Sequence, residues 1–259
     1  MKTIRCGRGL GDSIYLQSVV RYLIAETGEA YKVASDWPDV FAPLGDKVQV
    51  IPFTRNRIDI VAHYITRKGV ENTTLFRDCC INAGIKNYPE LRLDWPEAGG
   101  PLIDQIRASG KPVLCVQLPR TPMGRTDGFG AKLLPDCRVI QRLINRLRDK
   151  YTIMQVGKGE PLFEFSGIDI DLANRTAVRE LLDVCSVADL FLGYPSYILP
   201  IAESFRKPAI MVWSRAGLES REMFINTVTP RKLIEHAATR YIIDDCGDYE
   251  FEEVLRGLV

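Results

Sequence analysis

The chain has only 2 histidines among its 259 residues, no CxxC pair and no long apolar run. Without paired spacings, the 7 cysteines do not read as a disulfide framework or a metal knuckle. Cys115 and Cys185 sit inside apolar patterns and Cys79-Cys80 are adjacent, so they are expected to be reduced core thiols of a cytosol-like compartment. No apolar h-region opens the chain and no run of about 18 apolar residues occurs, so the expectation is a cytoplasmic protein, neither exported by that route nor membrane-spanning. An excess of one charge is missing too. The formal net charge of +1 excludes a grossly basic nucleic-acid binder but leaves local patches open. There is no low-complexity tract and no internal repeat. What remains is an ordinary globular composition, long enough for one large domain or two small ones, and two are expected.

The chain is organised around Leu181 to Trp213. A helix with apolar residues Val178, Leu181, Leu182 and Cys185 runs into the short apolar strand Asp189 to Leu192. The loop Gly193-Tyr194-Pro195-Ser196 follows, then a helix over Tyr197 to Phe205, a stop at Lys207-Pro208 and the strand Ala209 to Trp213. Two wholly apolar strands joined by a helix make one unit of a parallel sheet covered on both faces. Ligands of such sheets sit beyond the carboxyl ends of the strands, which marks that loop as a binding position.

The same rhythm recurs. Thr3 to Cys6 is a strand, Gly7-Arg8-Gly9-Leu10-Gly11-Asp12-Ser13 a glycine-rich turn, and Ile14 to Glu26 a helix. That order offers free N–H groups to an anion, but Asp12 stands where the dinucleotide fingerprint needs its third glycine. Strands are expected at Ala30 to Ala34, Val48 to Phe53, Ile58 to Tyr64 and Glu90 to Leu93, with helices at Trp37 to Phe41 and Leu75 to Ala83. His63, closing its strand, reads either as a packed histidine or as an acceptor-side residue. Trp95 to Pro101 is the linker, dividing a domain 1–99 from a domain 100–259.

Beyond it, Pro112 to Gln117, Tyr151 to Val156 and Ile168 to Leu172 are strands, and Pro135 to Lys150 is an arginine-bearing helix. The polar loop Leu118 to Leu134 carries Arg120, Thr121, Arg125 and Lys132, and so long a stretch without clear periodicity points to function or mobility. The Asp169-Ile170-Asp171 pair lies within a strand and reads as structural, not as a metal pair. Closing helices are expected at Glu222 to Asn226, Lys232 to Ala238 and Phe251 to Leu258.

GLGDSIYLQSVVRYL near the start, LANRTAVRELLDVCSVADLFLGYPS and LPIAESFRKPAIMVW together resemble the ADP-heptose:lipopolysaccharide heptosyltransferase family over about two-thirds of the chain. The resemblance implies an α/β fold of the glycosyltransferase B type, with two Rossmann-like domains facing across a cleft, acceptor on the first and nucleotide-sugar donor on the second. It implies an inverting, metal-independent transfer from a nucleotide-diphosphate sugar to a saccharide-like hydroxyl acceptor, with no cofactor. Asp12 would be the general base, and Lys132, helped by Arg120 or Arg125, would neutralise the diphosphate. Glu160, after Gly157-Lys158-Gly159, would hold the ribose, and Gly11, Thr121, Tyr194, Ser196 and Tyr197 complete the donor-binding set. The family's Asn-Asp-Ser-Gly turn is Tyr194-Pro195-Ser196-Tyr197 here and Pro200 replaces a histidine, so the donor sugar stays open. Two further readings stand beside the first: a glycosyltransferase acting on hydroxylated bases of DNA, and an inactive nucleotide- or sugar-binding module.

Overall fold

The computed structural model describes residues 1–64, 73–120, 134–219, 230–236 and 238–258. The first third forms β1 (Lys2–Arg5), α1 (Leu10–Thr27), β2 (Tyr31–Ala34), a 3-10 segment (Pro38–Lys47), β3 (Val48–Ile51), β4 (Ile60–Val61) and α2 (Leu75–Asn82). Its sheet runs β3-β2-β1-β4 with every pair parallel. Then come α3 (Pro101–Arg107), β5 (Val113–Gln117), α4 (Cys137–Leu147), β6 (Thr152–Val156), β7 (Ile170–Asp171), α5 (Val178–Ser186), β8 (Leu190–Gly193), α6 (Ile198–Ser204), β9 (Ala209–Trp213), α7 (Arg215–Leu218) and β10 (Thr239–Ile243). The second sheet is also parallel and runs β10-β9-β8-β5-β6-β7.

Each sheet has a point where strand order reverses: between β1 and β4 in the first, between β5 and β8 in the second. Loops leaving neighbouring strands diverge there and open a crevice at the carboxyl ends. Asp12 and His63 follow β1 and β4, whereas Arg120 and Tyr194 to Tyr197 follow β5 and β8. The fold therefore gathers residues distant in sequence at two crevices.

The central strands β5, β6, β8 and β9 of the second sheet are buried on both faces. Leu114, Val116, Leu190, Leu192, Ile210 and Val212 pack against α4 residues such as Ile140 and Leu143, while Cys115, Phe191, Met211 and Trp213 pack the other way. This alternation is the two-residue period of a strand applied to a run with no polar face. The other face joins residues of both sheets, Ile4 and Val33 with Phe191 and Trp213, in one continuous core.

Helix α6 lies inside this layer with every residue buried. Pro200 is tolerated there because it sits in the first turn, where a backbone N–H would have no helical partner.

Several expectations are corrected. Glu90 to Leu93 forms no strand; Ser18 Oγ receives the Arg92 N–H at 3.0 Å and donates to the Glu90 carbonyl, so a helix side chain does a strand's work. The strand expected over Ile58 to Tyr64 is only Ile60–Val61, and that over Ile168 to Leu172 only Ile170–Asp171. Lys232 to Ala238 gives way to a short helix, Pro230–Leu233. The last helix is Asp248–Leu255. α3, α7 and β10 had no counterpart in the sequence reading. The helix expected at Glu222 to Asn226 lies outside the described residues. Asp169 Oδ2 accepts the Ile153 N–H and Asp171 Oδ1 the Ala173 N–H, so both carboxylates serve as backbone acceptors. All seven cysteines are free thiols.

Candidate functional site

On the first crevice, the chain leaves β1 through Gly7 to Gly9, and Asp12 in the first turn of α1 folds back over it. Its Oδ2 accepts the Gly9 N–H at 2.9 Å. A Cβ at Gly7 would overlap that carboxylate, which makes glycine necessary there. The Tyr64 hydroxyl bonds the same carboxylate. Burial pushes the Asp12 carboxyl above its ordinary value, and these two hydrogen bonds pull it part of the way back.

His63 stacks on Tyr64 with ring centroids 4.5 Å apart, and its carbonyl accepts from Asn82 Nδ2 at 2.6 Å. Burial, then the charges of Arg5 and Arg55, lower the imidazole to about 4, so it is neutral at neutral pH. Atoms of Cys6, Asp12 and His63 come within 4.8 Å of one another. His63 thus stands beside Asp12.

On the second crevice, Gln117 closes β5 and is buried. Its Oε1 accepts from the Ser196 hydroxyl, and it also bonds Tyr194, so the two loops beyond β5 and β8 are tied together. Burial raises the phenols of Tyr194 and Tyr197, and the Arg120 guanidinium opposes both shifts.

Arg120 is 8% exposed and donates through Nη1 to the Gly159 carbonyl at 2.6 Å, but its buried Nε has no partner among the described residues. Gly157 and Gly159 have φ of +133° and +107°, a region other residues enter at a cost. Asn174 braces this turn, its Oδ1 accepting the Gly159 N–H at 2.9 Å. A Cβ on Gly157 would sit 3.6 Å from Arg120 Cδ and 3.9 Å from the Tyr197 hydroxyl, so these three are neighbours.

A cavity of about 210 Å³ joins the two halves: Leu10 and Trp37 line it from the first, and Gly157, Lys158, Val178 and Tyr197 from the second. Gly11 stands where the halves meet, since a Cβ there would lie 3.2 Å from Pro200 Cγ and 3.4 Å from Tyr197 Cα. That contact makes Gly11 a point of close approach between α1 and α6. Glu160 is exposed and outside the lining of this cavity. Thr121, Arg125 and Lys132 lie outside the described residues.

Sequence reasoning missed Gln117, Asn174 and Trp37. The first had a readable signal: a polar residue ending an apolar strand at its carboxyl end. The other two matter only through contacts made across the fold.

Two parallel sheets, each with a strand-order reversal and packed together through α1 and α6, have the glycosyltransferase B-type arrangement. No family profile matches the sequence, and no curated protein does. The structure is similar to that of ADP-heptose lipopolysaccharide heptosyltransferase II of E. coli, at 13% identity, over 100% of this chain and 98% of that one, with a TM-score of 0.63. It is similar to a glycosyl transferase family 9 protein of Veillonella parvula at 10% identity, over 100% and 90% of the chains, with a TM-score of 0.59. It also matches the iron-containing dodecameric glycosyltransferase TibC of enterotoxigenic E. coli at 15% identity and a TM-score of 0.54, covering 81% of this chain but only 59% of TibC. At such identities the likeness is one of fold. Among the described residues, no helix is long and apolar enough to cross a membrane.

Proposed function

We propose that the protein transfers a sugar from a nucleotide-diphosphate donor to a hydroxyl acceptor with inversion at the anomeric carbon, residues 1–99 receiving the acceptor and 100–259 the donor. The observation that supports this reading is the cavity shared by the two halves, with Leu10 of the first, two residues before Asp12, lining it together with Lys158 and Tyr197 of the second. Asp12 takes the acceptor proton as the hydroxyl attacks, a step that suits a carboxylate raised toward the working range. Arg120, whose buried Nε has no partner among the described residues, and Lys158, exposed at the cavity, are proposed to meet the departing diphosphate. Lys132 and Thr121 are proposed to join them from the loop after β5, with Ser196 at the start of α6 and Glu160 toward the ribose. The chemistry uses no metal and no cofactor beyond the donor, and His63, neutral, serves the acceptor side.

The reading that makes α4 a DNA-binding face gains nothing from the geometry. Arg142 pairs with Asp248 at 2.9 Å and Arg146 with Glu252 through both guanidinium nitrogens.

The test is incubation of the full chain with a panel of nucleotide sugars and saccharide acceptors, measuring released nucleoside diphosphate. Release that depends on acceptor and vanishes in Asp12→Asn supports the proposal. No release with any donor sinks it and favours an inactive binding module.

A further inference from the structure

The side chains that β1 and β4 bring together exceed what proton abstraction needs. A carboxylate suffices for that step, yet Cys6 Sγ, an Asp12 oxygen and a His63 ring nitrogen all lie within 4.8 Å of one another. Among the described residues this is the one such group of three. We propose that Cys6, Asp12 and His63 form a binding site for a thiophilic divalent cation of the Zn²⁺ class, seated at the reversal point of the first sheet.

The donor types fit. Zn²⁺ takes thiolate, imidazole and carboxylate together, with bonds of about 2.0–2.3 Å, so tetrahedral ligand atoms stand about 3.3–3.8 Å apart. From within 4.8 Å the ligand atoms need to close by no more than about 1–1.5 Å to reach that spacing. A second thiol, Cys79 Sγ, lies 3.9 Å from Cys6 Sγ, near the separation of two sulfurs on one tetrahedral ion.

The supports behind the ligands are also present, as metal sites require. Gly9 N–H and Tyr64 hold Asp12, while Asn82 and the Tyr64 ring hold His63. Arg5 and Arg55, whose charges reach His63, oppose a bare cation. Two anionic ligands offset them, the Cys6 proton passing to solvent as sulfur binds the metal. An ion held there occupies Asp12, so it competes with sugar transfer. That consequence rests on the proposed function, whereas the site itself does not.

Titration of the full chain with Co²⁺, following thiolate-to-cobalt charge-transfer absorption, tests the site. The expected band saturates at one ion per chain, disappears in Cys6→Ser, and weakens at least about tenfold in affinity in His63→Gln, a half-buried position where circular dichroism verifies the fold. Cys115→Ser keeps the band, because that buried thiol lies 4.0 Å from Cys185 with no carboxylate or imidazole grouped with it among the described residues. No band in the unaltered chain, or a band unchanged in both His63→Gln and Cys6→Ser, overturns the proposal. Since the readout involves no sugar, a failure here leaves the transfer reading standing, and cobalt binding by a chain that transfers nothing sinks only the latter.

Discussion

Asp12 is held by Gly9 N–H and Tyr64 and raised by burial, so it combines a fixed position with a proton affinity above that of a solvated carboxylate. Replacing it by asparagine keeps the shape and removes the proton acceptor. Asp12→Asn is expected to lower kcat by about 10²–10⁴-fold while donor affinity stays within a few-fold. An equal loss of donor binding would make Asp12 a helix cap and nothing more. The pH profile follows from the direction of the shift. The base must be ionised, so kcat/KM falls on acidification through a value above the ordinary carboxylate 3.8, and a profile flat down to that value would contradict it. Gln17 illustrates a structural residue at the same scale. Buried at 0% exposure, it donates to the carbonyls of Val40 and Asp94 and accepts the Asp94 N–H, each near 3 Å. Gln17→Ala strands those groups and is expected to cost about 1–3 kcal/mol in denaturant unfolding. A change below 0.5 kcal/mol would mean that water replaces it.

At the scale of elements, α6 and the segment after Pro230–Leu233 share a buried acidic contact. His236 N–H donates to Glu203 Oε2 at 2.8 Å, and Glu235 lies 3.8 Å from Arg77 on α2. Burial pushes the Glu203 and Glu235 carboxyls each up to about 7, against 4.5 for the unperturbed group. A carboxyl with a raised folded value favours the fold most when protonated. Its contribution is complete below about 4.5 and is lost as pH rises through about 7. The thermal midpoint is therefore expected to fall between pH 5 and pH 8, and to fall less in Glu203→Gln. An identical drop in the variant would clear Glu203 of the effect. This contact was not legible in the sequence, because nothing local pairs residue 203 with residue 236. The β8-α6-β9 unit was legible, since strands buried on both faces leave unbroken apolar runs. β10 was not: an edge strand with Tyr241 48% exposed breaks that pattern. Glu90 to Leu93 misled for the opposite reason, its alternation matching a strand while side chains of α1 satisfy its backbone. The two glycine-rich turns and Asp12 could be picked out by residue type, whereas the approach of Cys6 and His63 depends on β1 pairing in parallel with a strand more than fifty residues away.

Across the whole molecule the two sheets are joined by more than a linker. A single apolar core runs through both, Leu93 N–H reaches the Ser204 carbonyl at 3.3 Å, and Trp95 Nε1 donates to Asp183 at 2.9 Å. The connecting stretch thus braces the halves, and α1 packs against α6 where they meet. Gly11 is a point of close approach in that contact, where a branched side chain would meet the Pro200 ring and the backbone at Tyr197. Gly11→Val must push the halves apart or turn α1, because the obstructing atoms are a proline ring and a main-chain carbon, neither able to swing away. If transfer needs the carboxylate of one half to meet the donor held by the other, that displacement costs rate more than it costs fold. The expected outcome is a loss of kcat/KM of about 10²-fold, the scale on which a misplacement of about 1 Å acts, with near-native circular dichroism. Full activity in Gly11→Val would show that the spacing of the halves does not set the reaction geometry, and the facing-crevice account would fail with it.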